Sequence, residues 1–237
     1  MQLFYIDPSL AMGNEIVLPE ESSRHIVSVL RMKQGDSLQL TTGKGTLFHA
    51  IIEEPHKKKC RVSIVSAKQF EKPSQEIVMA VSLLKNTGRY EWFLEKATEI
   101  GATRIVPLLC ARTEKQQFRY NRLHTILISA MMQSGRYWLP ELEQPVAFPE
   151  VFSKPYYSDA AVKMIAHCME GEKRDLVTYL RNAPFSRMMF IGPEGDFTAE
   201  EVRMAEEHGA VAVSLGNTRL RTETACIVAT TLMMNVH

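Results

Sequence analysis

A change in hydrophobic pattern near residue 75 is the sequence feature that most limits how this chain can fold. Before it, Asp36–Leu40, Thr46–Ile52 and Cys60–Val65 alternate apolar and polar residues, as half-buried strands do. After it, Ile77–Leu84 is one apolar run, typical of a strand buried on both faces. The polar segment Lys68–Gln75 lies between the two patterns and is interpreted as a linker.

Residues 1–70 are therefore predicted to form a small β domain, a compact antiparallel sheet that closes toward a barrel. Leu3–Ile6 and Glu15–Leu18 are its first short strands, punctuated by turn residues. The spacing after them predicts a brief helix from Pro19 to Leu30. One face of that helix is expected to carry His25, Ile26, Val29 and Leu30.

Residues 76–237 are predicted to form an α/β domain, because apolar runs alternate with segments of helical spacing. Such alternation favours a mainly parallel sheet with helices on both sides. After Ile77–Leu84, the further strands are predicted at Thr103–Leu109, Ala161–His167, Met188–Gly192 and Val211–Gly216. The helices are predicted at 90–100, 120–134, 175–181 and 199–208, and from about Glu223 to the end.

Composition excludes several classes of protein. With 45% hydrophobic and 23% charged residues, the chain is neither disordered nor low in complexity. No apolar run approaches the roughly 20 residues of a membrane span, and the first residues lack a secretory pattern. The four cysteines are scattered without zinc spacing, so no metal site is predicted. These features together predict a cytoplasmic protein with reduced thiols.

Basic residues cluster at two places in the first domain. Lys57 and Lys58 belong to a short run of cations, and Arg24 and Arg31 flank the predicted helix. Each cluster can be a solvated surface or a contact to nucleic-acid phosphates, and the residues alone leave both open. The formal net charge of +1 does not decide between them, because it reports only a sum over the chain.

Three polar or glycine-bearing loops follow predicted strands of the second domain, where open α/β sheets bind ligands. They are His167–Gly171, Ile191–Glu201 and Ser214–Ala225. In the second, Gly192 and Gly195 allow close backbone approach, but the spacing of phosphate-binding loops is absent. Its glycines alone indicate an ordinary strand-to-helix turn, and the Thr198/Glu201 spacing predicts a capping box.

The third loop contains a residue that helix capping does not explain. Thr222 and Glu223 suit the start of a helix, whereas Arg221 puts a cation against the positive end of the helix dipole. That arrangement costs stability unless an anion or a ligand compensates. The mismatch indicates a functional site.

The segments Glu95–Leu108, Gly192–Phe197 and Leu215–Ala225, in this order and at these spacings, resemble the bacterial 16S ribosomal RNA uridine-N3 methyltransferases, the RsmE family of the SPOUT superfamily. The resemblance covers nearly the whole chain. It implies a PUA-like RNA-binding domain followed by a SPOUT methyltransferase domain with a C-terminal trefoil knot. The chain departs from the family pattern at Asp196, where the family loop usually has glycine, and at Met132, where the family often has glutamate.

The resemblance implies an enzyme that transfers a methyl group from S-adenosylmethionine to N3 of a uridine in the small ribosomal subunit. Arg221 would stabilise charge on the uracil, and Glu223 would accept its proton or only start the helix. A homodimer is expected. The cofactor contacts are expected from His167, Gly192, Gly195, Leu215, Gly216, Asn217, Leu220 and Thr224. The RNA contacts are expected from Arg24, Arg31, Lys57, Lys58, Arg89, Arg112 and Arg136.

Two other functions stay open at this stage. The chain could be a non-catalytic RNA-binding or ribosome-assembly factor on the same fold, which would give no heat with S-adenosylmethionine. It could also be a phosphate-utilising α/β enzyme built on the Gly192–Asp196 loop, which would bind a nucleotide and not the methyl donor.

Overall fold

The computed structural model describes residues 2–11, 13–114 and 117–237, and the chain divides into two compact units. The first unit comprises residues 1–72 with 131–139, and the second comprises 73–130 with 140–237. The first unit therefore includes residues 131–139. The predicted division of the chain between residues 70 and 76 places that segment in the second domain.

The first unit is built on a five-stranded sheet in the order β1-β3-β4-β5-β2. Its strands are β1 (Leu3–Tyr5), β2 (Glu15–Val17), β3 (Ser37–Thr41), β4 (Thr46–Glu54) and β5 (Arg61–Gln69). The prediction of an antiparallel sheet is wrong at one edge, because β1 pairs with β3 in parallel. A parallel pair requires a long connection, and residues 6–36 supply it. The alternating residues of these strands fill the core, including Ile16, Leu38, Leu40, Ile52 and Val62.

The helical segment of the first unit differs from its predicted face. Helix α1 (Glu20–Arg24) continues into a π-helix at His25–Val29, where the Leu30 N–H donates to the His25 carbonyl at 2.9 Å. The wider turn breaks the 3.6-residue period on which the prediction rested. Ile26 is fully buried as expected, but Val29 is 64% exposed and Leu30 also lies at the surface.

Within the first unit, the segment 131–139 packs against residues 45 and 70 through a backbone hydrogen bond and a ring contact. The Gly45 N–H donates to the Tyr137 carbonyl at 2.8 Å, and the Phe70 and Tyr137 rings stack. A Cβ atom at Gly45 would lie 2.4 Å from the Trp138 ring, so only glycine fits there. Position 45 is therefore glycine because of a contact distant in sequence.

The second unit contains a parallel sheet, as predicted, in the order β11-β13-β10-β12-β6-β7-β8, with β9 paired to β7. All its recorded strand pairs are parallel. The five predicted strands are confirmed as β6 (Glu76–Ser82), β7 (Arg104–Leu109), β10 (Val162–Ala166), β12 (Ser186–Ile191) and β13 (Val211–Ser214). Three two-residue strands were not predicted, namely β8 (Glu141–Leu142), β9 (Val146–Ala147) and β11 (Arg174–Asp175).

Helices follow the strands of this sheet. They are α2 (Thr87–Ile100), α3 (Tyr120–Gln133), α4 (Pro155–Asp159), α5 (Leu176–Leu180), α6 (Ala199–Glu207) and α7 (Thr222–Asn235). Short 3-10 helices occur at Pro8–Leu10 and Phe148–Ser153. Within the described residues, no helix is long and apolar enough to cross a membrane.

The register of three parallel strands places the functional loops. Ala166, the last residue of β10, pairs with Ile191 at the end of β12 and with Val213 near the end of β13. Parallel strands in such register end at one edge of the sheet. The loops that follow β10, β12 and β13 therefore leave that edge side by side.

Candidate functional site

A cavity of about 570 Å³ lies where these three loops meet the start of α7. It is lined by most of the residues predicted for a cofactor site and for catalysis, together with Arg89. The predicted residues in its wall are His167, Gly192, Leu215, Gly216, Asn217, Leu220, Arg221 and Glu223. Gly195 and Thr224 lie outside the wall, although both neighbour residues that form it.

The loop after β12 is shaped by Gly192 and Asp196. A Cβ atom at Gly192 would lie 3.0 Å from the Phe197 backbone nitrogen, so the loop folds back tightly at this residue. Asp196 has a φ of 62°, and its carboxylate accepts from the Cys168 N–H at 2.7 Å. One side chain therefore ties the loop after β12 to the loop after β10.

Arg112 holds the same loop from outside the cavity. Its Nη1 donates to the Gly195 carbonyl at 2.7 Å and to the Phe197 carbonyl at 3.2 Å. Gly195 thus contributes a carbonyl that fixes the loop. Arg112, predicted to contact RNA, has an intramolecular role that sequence reasoning missed, because nothing in its local pattern pointed to a residue 83 positions away.

The predicted capping box follows this loop. The Thr198 N–H donates to the Glu201 carboxylate at 2.8 Å, and the Glu201 N–H donates to the Thr198 hydroxyl at 3.2 Å. The other Glu201 oxygen accepts from the Ala111 N–H at 2.8 Å. The box therefore starts α6 and also anchors the segment that carries Arg112.

His167 presents two unsatisfied nitrogens at the cavity wall. Both ring nitrogens are buried, and neither has a hydrogen-bond partner among the described residues. Burial, with a smaller contribution from Lys173, lowers the pKa of His167, so the neutral ring is favoured. A neutral imidazole has one donor and one acceptor, and leaving both buried and unpaired costs free energy that a polar ligand can recover.

The loop after β13 brings to the cavity a cation, Arg221, that forms no ion pair with any residue the structure describes. Gly216 has a φ of 125°, which lets the chain turn toward Arg221. Arg221 is exposed and occupies the N-cap position of α7, where its side chain makes no capping hydrogen bond. The mismatch seen in the sequence is therefore present in the structure: a guanidinium lies at the positive end of α7 and faces the cavity.

Glu223 is paired across the cavity wall. Its Oε1 lies 3.5 Å from Nε of Arg89, and its side chain is only 12% exposed. Arg89 comes from the first turn of α2, so the ion pair joins the starts of α2 and α7. Arg89, predicted as an RNA contact, is thus a partner of the predicted proton acceptor.

The other predicted RNA contacts belong to the first unit. Lys57 and Lys58 are exposed between β4 and β5, and Arg31 is exposed with a φ of 55°. Arg24 pairs with Glu20 at 2.7 Å, one turn away in α1. Arg136 is half-buried, and burial lowers its pKa. The structure does not bring these residues to the cavity wall.

Sequence reasoning missed further residues of the wall, including Lys173, Glu194 and Arg219. The backbone N–H of Lys85 donates to the Glu194 carboxylate at 3.1 Å, which connects the loop after β12 with the end of β6. Arg219 lies two residues before Arg221 in the loop after β13, and this position could have indicated that it lines the cavity. Among the described residues, no cluster of His, Cys, Asp and Glu could hold a metal ion.

Comparison with known proteins matches both units to described families. An RNA methyltransferase domain family matches residues 71–234, and an RNA methyltransferase PUA domain family matches residues 18–65. The crystal structure of a probable rRNA-methyltransferase from Porphyromonas gingivalis is 36% identical, with a TM-score of 0.90 over 100% of this chain and 98% of that one.

Two relatives carry a more specific name. The Ribosomal RNA small subunit methyltransferase E of Neisseria gonorrhoeae, solved with bound S-adenosyl methionine, is 29% identical with a TM-score of 0.85, over 98% of this chain and 96% of its own. The protein of the same name from Rickettsia conorii is 29% identical, over 95% of this chain and 91% of its own. These matches confirm the predicted family and the predicted order of a PUA domain followed by an α/β methyltransferase domain, and the trefoil knot stays a prediction.

Proposed function

This chain belongs to the RsmE family of ribosomal RNA small subunit methyltransferases, and from that premise we propose that it methylates N3 of a uridine in 16S ribosomal RNA with S-adenosylmethionine as methyl donor. The observation that carries the proposal is the cavity at the ends of β10, β12 and β13, with the exposed cation Arg221, at the N-cap of α7, in its wall.

The cavity residues fit the methyl donor. His167 offers a donor and an acceptor that the described protein leaves unused, and Gly216 has open space where a side chain would stand. Leu215 and Leu220 supply apolar surface for an adenine ring, and Asn217 a polar side chain beside them. When bound, S-adenosylmethionine supplies a methyl group activated by its sulfonium. Gly195 is proposed to support cofactor binding through the loop that its carbonyl helps to fix. Thr224 is proposed to do so from its position in the first turn of α7.

The chain's own residues would prepare the base. N3 of uridine carries a proton, so transfer to N3 requires that the proton leave and that negative charge spread onto the uracil oxygens. Arg221 is placed to stabilise that charge, and such preorganised groups contribute strongly to catalysis. Glu223 is the proposed proton acceptor, and Arg89 holds its carboxylate at the cavity wall. Extrusion of the base costs a few kcal/mol, least in single-stranded RNA.

The PUA unit would hold the RNA by its phosphates. Arg24, Arg31, Lys57, Lys58 and Arg136 are the proposed contacts there, and Arg112 and Arg89 in the second unit. Such contacts release counterions, so RNA binding should weaken as salt rises. We further propose that the protein acts as a homodimer and that its substrate is 16S RNA or the small ribosomal subunit.

The decisive experiment is methylation of unmodified 16S RNA and small ribosomal subunits, followed by mass mapping of the product nucleoside. We expect one N3-methyluridine. An N1-methylated or ribose-methylated product would contradict the N3 assignment and leave the methyltransferase assignment intact. Calorimetry tests the non-catalytic alternative: absence of heat with S-adenosylmethionine, together with absence of product, would favour a binding factor on this fold.

A further inference from the structure

A second cavity, of about 390 Å³, lies between α2 and α3 in the second unit. We call it the α2–α3 cavity and define it by Leu83, Leu84, Glu91, Arg119, Arg122 and Leu123. Its volume is within the roughly 300–1,000 Å³ of ordinary ligand pockets. None of the residues assigned above to cofactor binding or catalysis lines it.

The wall of the α2–α3 cavity is apolar on one side and cationic on the other. Leu83, Leu84 and Leu123 are buried and form the apolar part. Arg119 is exposed, and the side-chain oxygen of Gln117, in the amide orientation that satisfies both groups, accepts from it at 2.8 and 3.0 Å. Because that partner is neutral, the charge of Arg119 is available to an anion.

The second guanidinium is fixed but only partly neutralised. Arg122 donates through Nε and Nη2 to the two Glu91 oxygens at 3.1 and 2.9 Å, and its side chain is 64% exposed. This bidentate pair orients the guanidinium on the cavity wall. The pKa of Glu91 is lowered, first by its hydrogen bond with Arg122 and also by the charge of Arg119. Two cations therefore share one carboxylate, and the cavity mouth keeps net positive charge.

An aromatic cluster with one exposed ring lies beside Arg119 and Arg122 in sequence. Tyr120 lies between the two arginines in sequence and is 37% exposed. Its ring stacks on His124 at 5.5 Å with an angle of 17° between planes, and Phe118 meets it edge-on at 6.3 Å. Arginines next to an exposed aromatic ring are a combination that binds single-stranded nucleic acid, with phosphates on the arginines and a base on the ring.

One short segment connects this cavity with the proposed methyl-transfer cavity, the one lined by His167, Gly192 and Arg221. Within residues 83–91, Leu83, Leu84 and Glu91 face the α2–α3 cavity, whereas Arg89 faces the other. Lys85, between them, bonds through its backbone to Glu194 in the wall of the methyl-transfer cavity. The two cavities therefore both take wall residues from one short segment, residues 83–91.

We propose that the α2–α3 cavity binds a nucleotide of the single-stranded RNA next to the target base, with its phosphate on Arg119 and Arg122 and a base against Leu83, Leu84 and Leu123. Tyr120 receives a further base by stacking. The site thus adds to the proposed function a contact that selects unpaired RNA beside the target. The inference rests on that function, since it takes RNA as the substrate.

The first test compares Arg119→Ala with Arg203→Ala, which removes the same charge from a 70% exposed arginine on α6. We expect Arg119→Ala to weaken binding of unmethylated 16S RNA about 5-fold and to reduce the salt slope of the binding constant by about 0.7, the value for one phosphate contact on a single strand. Arg203→Ala should behave as wild type. Equal RNA affinities and slopes for the two variants would overturn the inference.

The second test uses a variant that is expected to strengthen RNA binding. Glu91→Gln removes the carboxylate that offsets Arg122 and keeps an oxygen acceptor, so we expect RNA binding to tighten about 2-fold. A merely structural role of the Glu91–Arg122 pair predicts weaker binding or no change, and either result would contradict the proposal.

The remaining alternatives give distinct results. If the α2–α3 cavity is a subunit interface, Arg119→Glu will change the molar mass in solution and leave RNA affinity per protomer unchanged, which overturns the inference. Heat of S-adenosylmethionine binding should be the same in all variants. The proposed function is tested separately by product formation with the wild-type protein. If the wild type is active and the variants bind RNA as it does, only the inference about the α2–α3 cavity is overturned.

Discussion

Asp196 shows at the scale of single residues how one side chain can replace a glycine and add a contact. The backbone there has a φ of 62°, a region that aspartate tolerates better than most residues. Its carboxylate accepts from the N–H groups of Cys168 and Phe197. The departure from the family's glycine is therefore compatible with the loop, and it connects two walls of the cavity at the ends of β10, β12 and β13.

The central residue-scale prediction concerns Arg221. Because we propose that this exposed guanidinium stabilises charge on the uracil, Arg221→Ala should lower kcat by roughly 100- to 1,000-fold, the loss typical of removing one such group. The measurement is turnover at saturating RNA and S-adenosylmethionine.

Two controls accompany that measurement. Arg221→Lys retains a cation and should recover part of the rate, and Arg203→Ala removes an exposed arginine outside the cavity wall. Calorimetry should give unchanged affinity of Arg221→Ala for S-adenosylmethionine. Turnover near the wild-type value would remove Arg221 from the mechanism.

At the scale of elements, strands and long helices follow hydrophobic pattern, whereas irregular elements do not. The five principal strands of the second unit were predictable because each is an apolar run of several residues. The two-residue strands are too short to show a period, and they exist because long neighbours offer hydrogen bonds. The π-helix at His25–Val29 has no local pattern that separates it from an α-helix.

The fully buried Arg187 connects elements in a way that yields a second prediction. Its guanidinium donates to the carbonyls of Leu180, Ala183 and Pro184 near the end of α5, and of Met233 and Val236 at the end of α7. Arg187→Met would leave these carbonyls without their donor, at about 1–3 kcal/mol for each that stays buried. We expect the free energy of unfolding in urea to fall by about 3–5 kcal/mol.

The control for this prediction is Arg203→Met on the exposed face of α6, which should change the free energy of unfolding by less than about 0.5 kcal/mol. Arg187→Lys offers fewer donors and should be intermediate. A loss below about 1 kcal/mol in Arg187→Met would mean that water replaces the guanidinium and that α7 needs no such anchor.

At the scale of the whole molecule, two families match successive parts of the chain, residues 18–65 and residues 71–234. A homodimer is predicted, with the half-buried Leu232 and Met234 of α7 available for an interface, whereas Met233 is buried in its own unit. Light scattering at micromolar concentration should give twice the mass of one chain, and a monomer mass would refute the dimer. The trefoil knot implied by the family stays a prediction.

The sequence by itself determined the two hydrophobic patterns, the parallel sheet and the loops that carry chemistry, because periodicity and capping are local properties. It also pointed to Arg221, since a cation at a helix start is a local conflict. Only the tertiary structure decided which residues meet: Arg89 with Glu223, Arg112 with Gly195, and Gly45 with Trp138. Such pairs lie far apart along the chain, and the register of the strands and the packing of the helices bring them together.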